Sequence, residues 1–268
     1  MNVKVCDLKS ITFEEDFKSS LVNTGFAVIT NHGIEDYIIK EAQMGWRLFY
    51  LNEPEYKAFY ANKEDPNMGY MGYKKETAVG AKVADLKEFY HWKPNHKLPY
   101  NTEAVTRFLF ERLEEISQTL LRALDVKYEG WCSNSDNTIL RTLYYPALDF
   151  SKEPEAVRAA AHEDINLITL LIAASAPGLQ VLDKEGNWHD VPHEENSIVV
   201  NAGDMLQLSS HGLYKSTTHR VINPDNSRSD RVSMPFFVHP RSETILVKGV
   251  TAKAYLDERL DQIYGRKK

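Results

Sequence analysis

Ala161-His162-Glu163-Asp164-Ile165-Asn166-Leu167-Ile168-Thr169-Leu170-Leu171-Ile172 sets two side chains able to bind a metal directly ahead of an apolar run. Side chains alternate along an extended chain, so residues 162 and 164 share a face while Glu163 points away. An imidazole and a carboxylate then reach one ion. From Asn166 to Ile172 the run reads as a buried strand. Further short β-rich runs follow the same pattern: Thr138 to Tyr144, Gly178 to Leu182, Ser197 to Val200, Met205 to Leu208, Thr217 to Ile222 and Val232 to Val238. Turn residues punctuate them, at Pro177-Gly178, Glu185-Gly186-Asn187, Gly203-Asp204 (read as a hairpin turn) and Asn223-Pro224-Asp225-Asn226. This spacing predicts a sandwich or barrel rather than alternating βαβ units.

Upstream the texture is helical. Thr12 followed by Glu15 gives a capping box, Phe13, Phe17 and Leu21 recur at helical spacing, and Gly25 offers a stop. Phe26 to Ile29 reads as a buried strand, and helices are expected from Glu35 to about Phe49 and from about Thr102 to Leu124. Between them, Ala61 to Lys97 lacks a clean period apart from a strand near Lys87 to Trp92, and is expected to form an irregular wall or lid. A last helix is expected from about Ala252 to Tyr264. The expected architecture is therefore mainly β with flanking helices: a helical N-terminal layer on a jelly-roll core. No linker divides the 268 residues, which are read as one domain, mostly helical over 1–136, jelly roll over 137–250 and C-terminal helix over 251–268.

A third ligand candidate, His219, opens another β run. Two imidazoles and one carboxylate on one side of a metal leave positions open for co-substrate, water and dioxygen. Taken singly, a histidine beside an apolar strand is more often structural, and His32, His91, His96, His189, His193, His211 and His239 keep that reading. Arg231 and Ser233, again two residues apart on a strand, put a guanidinium and a hydroxyl on one face, a pairing suited to gripping a carboxylate. Phe236 and Phe237 take opposite faces, one in the core and one toward a pocket. Tyr70, Tyr73, Lys74 and His91 are further pocket candidates.

Composition narrows the class. A net charge of −6 argues against a phosphate-neutralising surface, so no nucleic-acid partner is expected, and Arg266-Lys267-Lys268 reads as a solvated helix end. The two cysteines, Cys6 and Cys132, lie far apart, and neither a signal peptide nor a membrane span is recognised. A cytoplasmic protein is the resulting expectation.

Several blocks in order resemble the isopenicillin-N-synthase-like branch of the Fe(II)/2-oxoglutarate-dependent dioxygenases. They are Gly25 to Ile34, Tyr144-Tyr145-Pro146, Ala161 to Asp164 with Leu170, Pro177 to Val181, Asn201 to Gln207, Ser216 to Val221 and Arg231 to Phe237. The resemblance implies a distorted double-stranded β-helix with Fe(II) on His162, Asp164 and His219. It further implies the distal carboxylate of 2-oxoglutarate on Arg231 and Ser233 with Tyr145 as a further contact, dioxygen as oxidant, and hydroxylation, desaturation or ring closure as outcome. Many plant members carry Asn where this chain has Leu143, so one co-substrate hydrogen bond is expected to be missing or replaced. Alternatives left open are a same-fold iron oxidase that does not use 2-oxoglutarate, and a non-catalytic metal-binding protein or zinc hydrolase.

Overall fold

The computed structural model describes residues 1–65, 67–73, 86–147, 158–172, 178–222 and 230–264. Its N-terminal part runs β1 (Val5–Asp7), α1 (Phe13–Thr24), β2 (Phe26–Thr30), α2 (Asp36–Tyr50), α3 (Pro54–Ala58), β3 (Gly69–Met71), β4 (Glu88–Trp92), α4 (Glu103–Leu124) and α5 (Val126–Cys132). Then come β5 (Ile139–Tyr145), β6 (Ala159–His162), β7 (Ile168–Ile172), β8 (Leu179–Leu182), β9 (Trp188–Asp190) and β10 (Ile198–Ala202). The chain closes with α6 (Asp204–Ser209), β11 (His219–Val221), β12 (Arg231–Val238), β13 (Ile245–Val247), β14 (Val250–Thr251) and α7 (Ala252–Tyr264).

An eight-stranded sheet in the order β1-β2-β10-β7-β12-β5-β4-β3 and a four-stranded sheet in the order β6-β11-β8-β9 form the distorted jelly roll. β13 and β14 pair separately. Four strands of the large sheet precede residue 137, so the N-terminal part supplies half of that sheet as well as the helical layer.

Strand alternation sorts the large sheet into two chemistries. On β12, Val232, Met234, Phe236 and Val238 are buried toward the helices, where Phe236 meets Phe110 edge-on at 5.0 Å between centroids. Phe110 belongs to the apolar stripe of α4, with Leu109, Leu113, Ile116 and Leu120. Trp46 and Tyr50 of α2 pack on Tyr90 of β4 and Tyr144 of β5, at 5.1 and 5.4 Å. The other face of the same strands carries Arg231, Ser233 and Phe237 on β12 against Tyr145, Leu143 and Ile139 on β5. It is this face that looks into the barrel.

α1 ends on Gly25 in the left-handed region (φ 74), as a helix stop requires. A Cβ there would lie 2.4 Å from Thr217 Oγ1 and 2.5 Å from Lys215 O, so only glycine fits between this turn and the segment leading to His219. Thr12 precedes α1 without a capping bond from its side chain; its hydroxyl donates to Asp16 at 2.9 Å instead.

Two sequence expectations change. Met205 to Leu208 is helix, part of α6, not strand, and Gly203 (φ −102) precedes that helix rather than turning a hairpin. Its smallness is needed for close approach, because a Cβ at Gly203 would sit 2.1 Å from Asn166 O. The turns at Pro177 and at 223–226, Lys74 and the tail at 266–268 lie outside the described residues.

Candidate active site

β6 and β11 are antiparallel neighbours with His162 directly opposite His219, their ring centroids 4.4 Å apart. β6 ends at His162, so Asp164 is not on the same strand as expected. It sits in the connection that carries the chain from the small sheet into β7 of the large one. His162 and Asp164 nonetheless converge, with His162 Nε2 3.9 Å from Asp164 Oδ1 and His219 Nε2 4.0 Å from Asp164 Oδ2. The candidate donor atoms all lie within 4.8 Å of one another, and among the described residues this is the cluster of His, Cys, Asp and Glu that could hold an ion.

Each imidazole is oriented by its own backbone. His162 Nδ1 is 2.7 Å from Ala160 O, and His219 Nδ1 is 3.1 Å from Thr217 O. A carbonyl only accepts, so both Nδ1 atoms carry the proton and both Nε2 lone pairs face the cluster. Asp164 is held from behind: Oδ2 accepts from Thr169 Oγ1 at 2.6 Å and from Asn201 Nδ2 at 2.9 Å. Burial favours the protonated acid, yet His219, His162 and these two donors outweigh it and hold the carboxyl below the usual range. Burial, and next to it the neighbouring His219, draws His162 down to about 4, so the ring stays neutral near pH 7 although 39% of its side chain is exposed. Two imidazole Nε2 atoms and an ionised carboxylate are the donor set Fe(II) takes, with positions left over.

A second polar group lies along the barrel face. Arg231 stands opposite Tyr145 across the β12 and β5 ladder and Ser233 opposite Leu143; all four are buried. Burial lowers the Arg231 guanidinium to about 10, opposed by Tyr145 and reinforced by the like charge of Arg158. Arg158, only 1% exposed, is a residue that sequence reasoning missed. It stands just ahead of β6, where no periodic pattern marks it. Two buried guanidiniums near each other make this a positively charged place, with Asp230 also acting on Arg158. Leu143 packs with Phe89 and Tyr145 and replaces the plant asparagine by an apolar contact.

In front of the metal-ligand cluster opens a cavity of about 610 Å³. Its wall comes from the stretch expected to be irregular (Asp65, Asn67, Met68, Lys87, His91) and from α7 (Leu256, Arg259, Leu260). Phe237 lines it while Phe236 is core, and His91 lines it too. Tyr70 does not, since its hydroxyl donates to Glu88 and its ring packs on Phe49. Tyr73 is exposed.

Residues 136–240 match the 2OG-Fe(II) oxygenase superfamily, and residues 9–109 match the non-haem dioxygenase N-terminal region named for morphine synthesis. Flavonol synthase 1 of Crocosmia x crocosmiiflora is 30% identical over 237 residues, covering 82% of this chain and 70% of that protein. The chain belongs to the 2OG-Fe(II) oxygenase superfamily.

Solved structures of similar shape agree. A candidate oxygenase from Shewanella oneidensis superposes with a TM-score of 0.88 at 34% identity, over 98% of this chain and 99% of that one. A full-length Neurospora crassa protein in complex with alpha-KG gives 0.82 at 26% identity, over 96% and 95%. This oxygenase is therefore an Fe(II)- and 2-oxoglutarate-dependent oxidoreductase of the isopenicillin-N-synthase-like branch, and the oxidase, hydrolase and non-catalytic alternatives give way. Its relatives act on small molecules: one is named a flavonol synthase, and another was solved in complex with 2OG, Fe and JA. Among the described residues, no helix is long and apolar enough to cross a membrane.

Proposed function

We propose that the oxygenase hydroxylates, desaturates or cyclises a small molecule held in the 610 Å³ cavity, with His162, Asp164 and His219 as its Fe(II) ligands and Arg231, Ser233 and Tyr145 on the distal carboxylate of 2-oxoglutarate. The observation that carries this reading is the convergence of two fixed Nε2 lone pairs and one ionised carboxylate at one point, with the buried Arg231 on the barrel-facing side of β12.

Fe(II) with 2-oxoglutarate and dioxygen supplies the oxidising power when bound, giving succinate and carbon dioxide beside the product. The chain's part is positional. Ala160 and Thr217 carbonyls fix the two histidine tautomers, and Thr169 and Asn201 hold Asp164 ionised and stop it from rotating. Arg231 and Ser233, on one face of β12, give a carboxylate one orientation. Ile139, Ile165, Phe237 and Leu256 give the cavity an apolar side for the substrate skeleton.

We read the chain as one domain, because strands from before residue 137 flank on both sides those from after it in one sheet. Its partner is a small molecule and not nucleic acid, in keeping with the net charge of −6. Two buried thiols, Cys6 and Cys132, both pushed upward by burial, suit the cytoplasm. The test is an anaerobic titration of Fe(II)-loaded wild type and Arg231→Leu with 2-oxoglutarate, following the visible band of its chelate. A hydrogen bond to a charged group contributes ~1.5–3 kcal/mol, so the variant should need roughly 10- to 150-fold more co-substrate. Equal titration of both proteins would remove Arg231 from the role.

A further inference from the structure

Both histidines of the metal-ligand cluster owe their direction to a carbonyl two residues back, and a third histidine repeats that device outside the cluster. His239 Nδ1 lies 3.2 Å from Phe237 O, the arrangement of His162 with Ala160 O and of His219 with Thr217 O. A carbonyl only accepts, so Nδ1 of His239 carries the proton and Nε2 presents a lone pair. Burial draws this ring down to about 4, which keeps it neutral near pH 7. The backbone amide of His239 donates to Thr138 Oγ1 at 3.3 Å. Just behind it, Asn137 Nδ2 donates to Pro240 O at 3.3 Å and to Ser242 Oγ at 3.0 Å, so backbone and ring are both tied down.

His239 is 7% exposed and lines the 610 Å³ cavity. With Asn137 and Leu256 it also lines a second cavity of about 260 Å³, so its ring stands in the wall between the two. Its Nε2 has no hydrogen-bond partner among the described residues, and His239 stands apart from the cluster that could hold an ion. A buried acceptor without a donor is costly, so a ligand that brings one completes the site. 2-Oxoglutarate is not that ligand, because neither its carboxylates nor its ketone donates. Distance excludes it as well: His239 lies eight residues along the chain from Arg231, roughly 26 Å of strand at ~3.3 Å per residue. That leaves the substrate. We propose that His239 is a specificity-determining residue whose Nε2 accepts a hydrogen bond from a hydroxyl or N–H group of the substrate, while the apolar skeleton of that molecule lies along Phe237. The enzyme then takes hydrogen-bond-donating molecules in preference to their capped counterparts. This rests on the Fe(II)/2-oxoglutarate reading of the neighbouring site.

4-Ethylphenol with 4-ethylanisole, 2-phenylethanol with its methyl ether, and indole with 1-methylindole are titrated anaerobically into the Fe(II)·2-oxoglutarate protein. Perturbation of the visible band and the shift in thermal unfolding both report binding. Measured against His239→Phe, which removes the acceptor, wild type should favour a donor over its methylated partner by about 2- to 12-fold, the change expected for one neutral hydrogen bond. His239→Gln keeps an acceptor and should restore part of that preference, which a merely structural histidine would not require. His239→Met replaces the phenylalanine variant if that one does not fold, and the hydroxyl and indole pairs tell an O–H donor from an N–H donor. The 2-oxoglutarate band, read before any probe is added, separates the two readings: its absence in wild type removes both. Its presence with no probe bound, or with the same donor preference in wild type and in folded His239→Phe or His239→Met, overturns the role of His239 alone.

Discussion

Thr169→Val removes a hydroxyl and almost no volume, and so tests the bond that steadies Asp164, together with the bond the same hydroxyl accepts from Asn166 Nδ2 at 3.0 Å. The hydroxyl donates to Oδ2 at 2.6 Å, a short contact of the charge-assisted kind, which typically contributes ~1.5–3 kcal/mol. Asn201 still donates to the same oxygen at 2.9 Å, so the loss should fall toward the lower end, about 1.5 kcal/mol. At ~1.4 kcal/mol per decade that is roughly a 10-fold weaker Fe(II) affinity, the lower edge of the ~10- to 100-fold seen when a partner behind a metal ligand is lost. The assay is an anaerobic competition titration with Fe(II), alongside urea unfolding of the metal-free protein and the same measurements on Thr169→Ser, which keeps the hydroxyl. Serine should titrate like wild type. If valine lowered stability but bound Fe(II) within two-fold of wild type, Thr169 would be a structural donor only, and the positioning argument for Asp164 would fail.

Replacing His162, Asp164 or His219 by alanine should abolish turnover while circular dichroism stays that of wild type, because an open catalytic metal site is seldom the main source of stability; near-wild-type activity in any one variant would strike that residue from the ligand set. His239, 7% exposed, is drawn down by burial to about 4, so its contribution to stability is present above the unfolded value near ~6.5 and is lost as pH falls through ~6.5 to about 4. The loss amounts to at most roughly 3 kcal/mol, and metal-free His239→Gln should show a flatter decline over that window in urea unfolding; parallel curves would refute it. Gly203→Ala should destabilise the protein by about 1–3 kcal/mol, since the new methyl meets Asn166 O at 2.1 Å, and should weaken Fe(II) binding as the Asp164 connection shifts; an unchanged thermal midpoint would refute it.

What the sequence makes legible follows from periodicity. α4 and β12 carry long, regular patterns, and the pair Arg231 and Ser233 is visible because an alternating strand holds two polar residues on one face. Met205 to Leu208 misleads because a short apolar run has no period of its own, and because Gly203 looks like a turn glycine when its real constraint is the carbonyl of Asn166. The spacing of His162 and Asp164 points correctly to convergence but for the wrong reason, since the strand ends between them. Thr169, Asn201 and Arg158 are invisible: each matters through a neighbour that only the fold supplies. Arg141 sits on a strand where a charge ordinarily marks a solvated face, and Lys87 just ahead of β4; nothing local says that this side is enclosed.

The two-faced character of β12 restricts how this chain can change in length. Arg231, Ser233 and Phe237 face the barrel while Val232, Phe236 and Val238 face the helices, so one residue inserted after Ser233 would drive the guanidinium into the apolar layer around Phe110 or turn the phenyl rings out of phase. Two inserted residues would restore the phase. Homologous chains should therefore vary in this strand by even numbers of residues or not at all, and engineered insertions meant to enlarge the cavity belong beyond Val238, where the parity of the strand no longer matters.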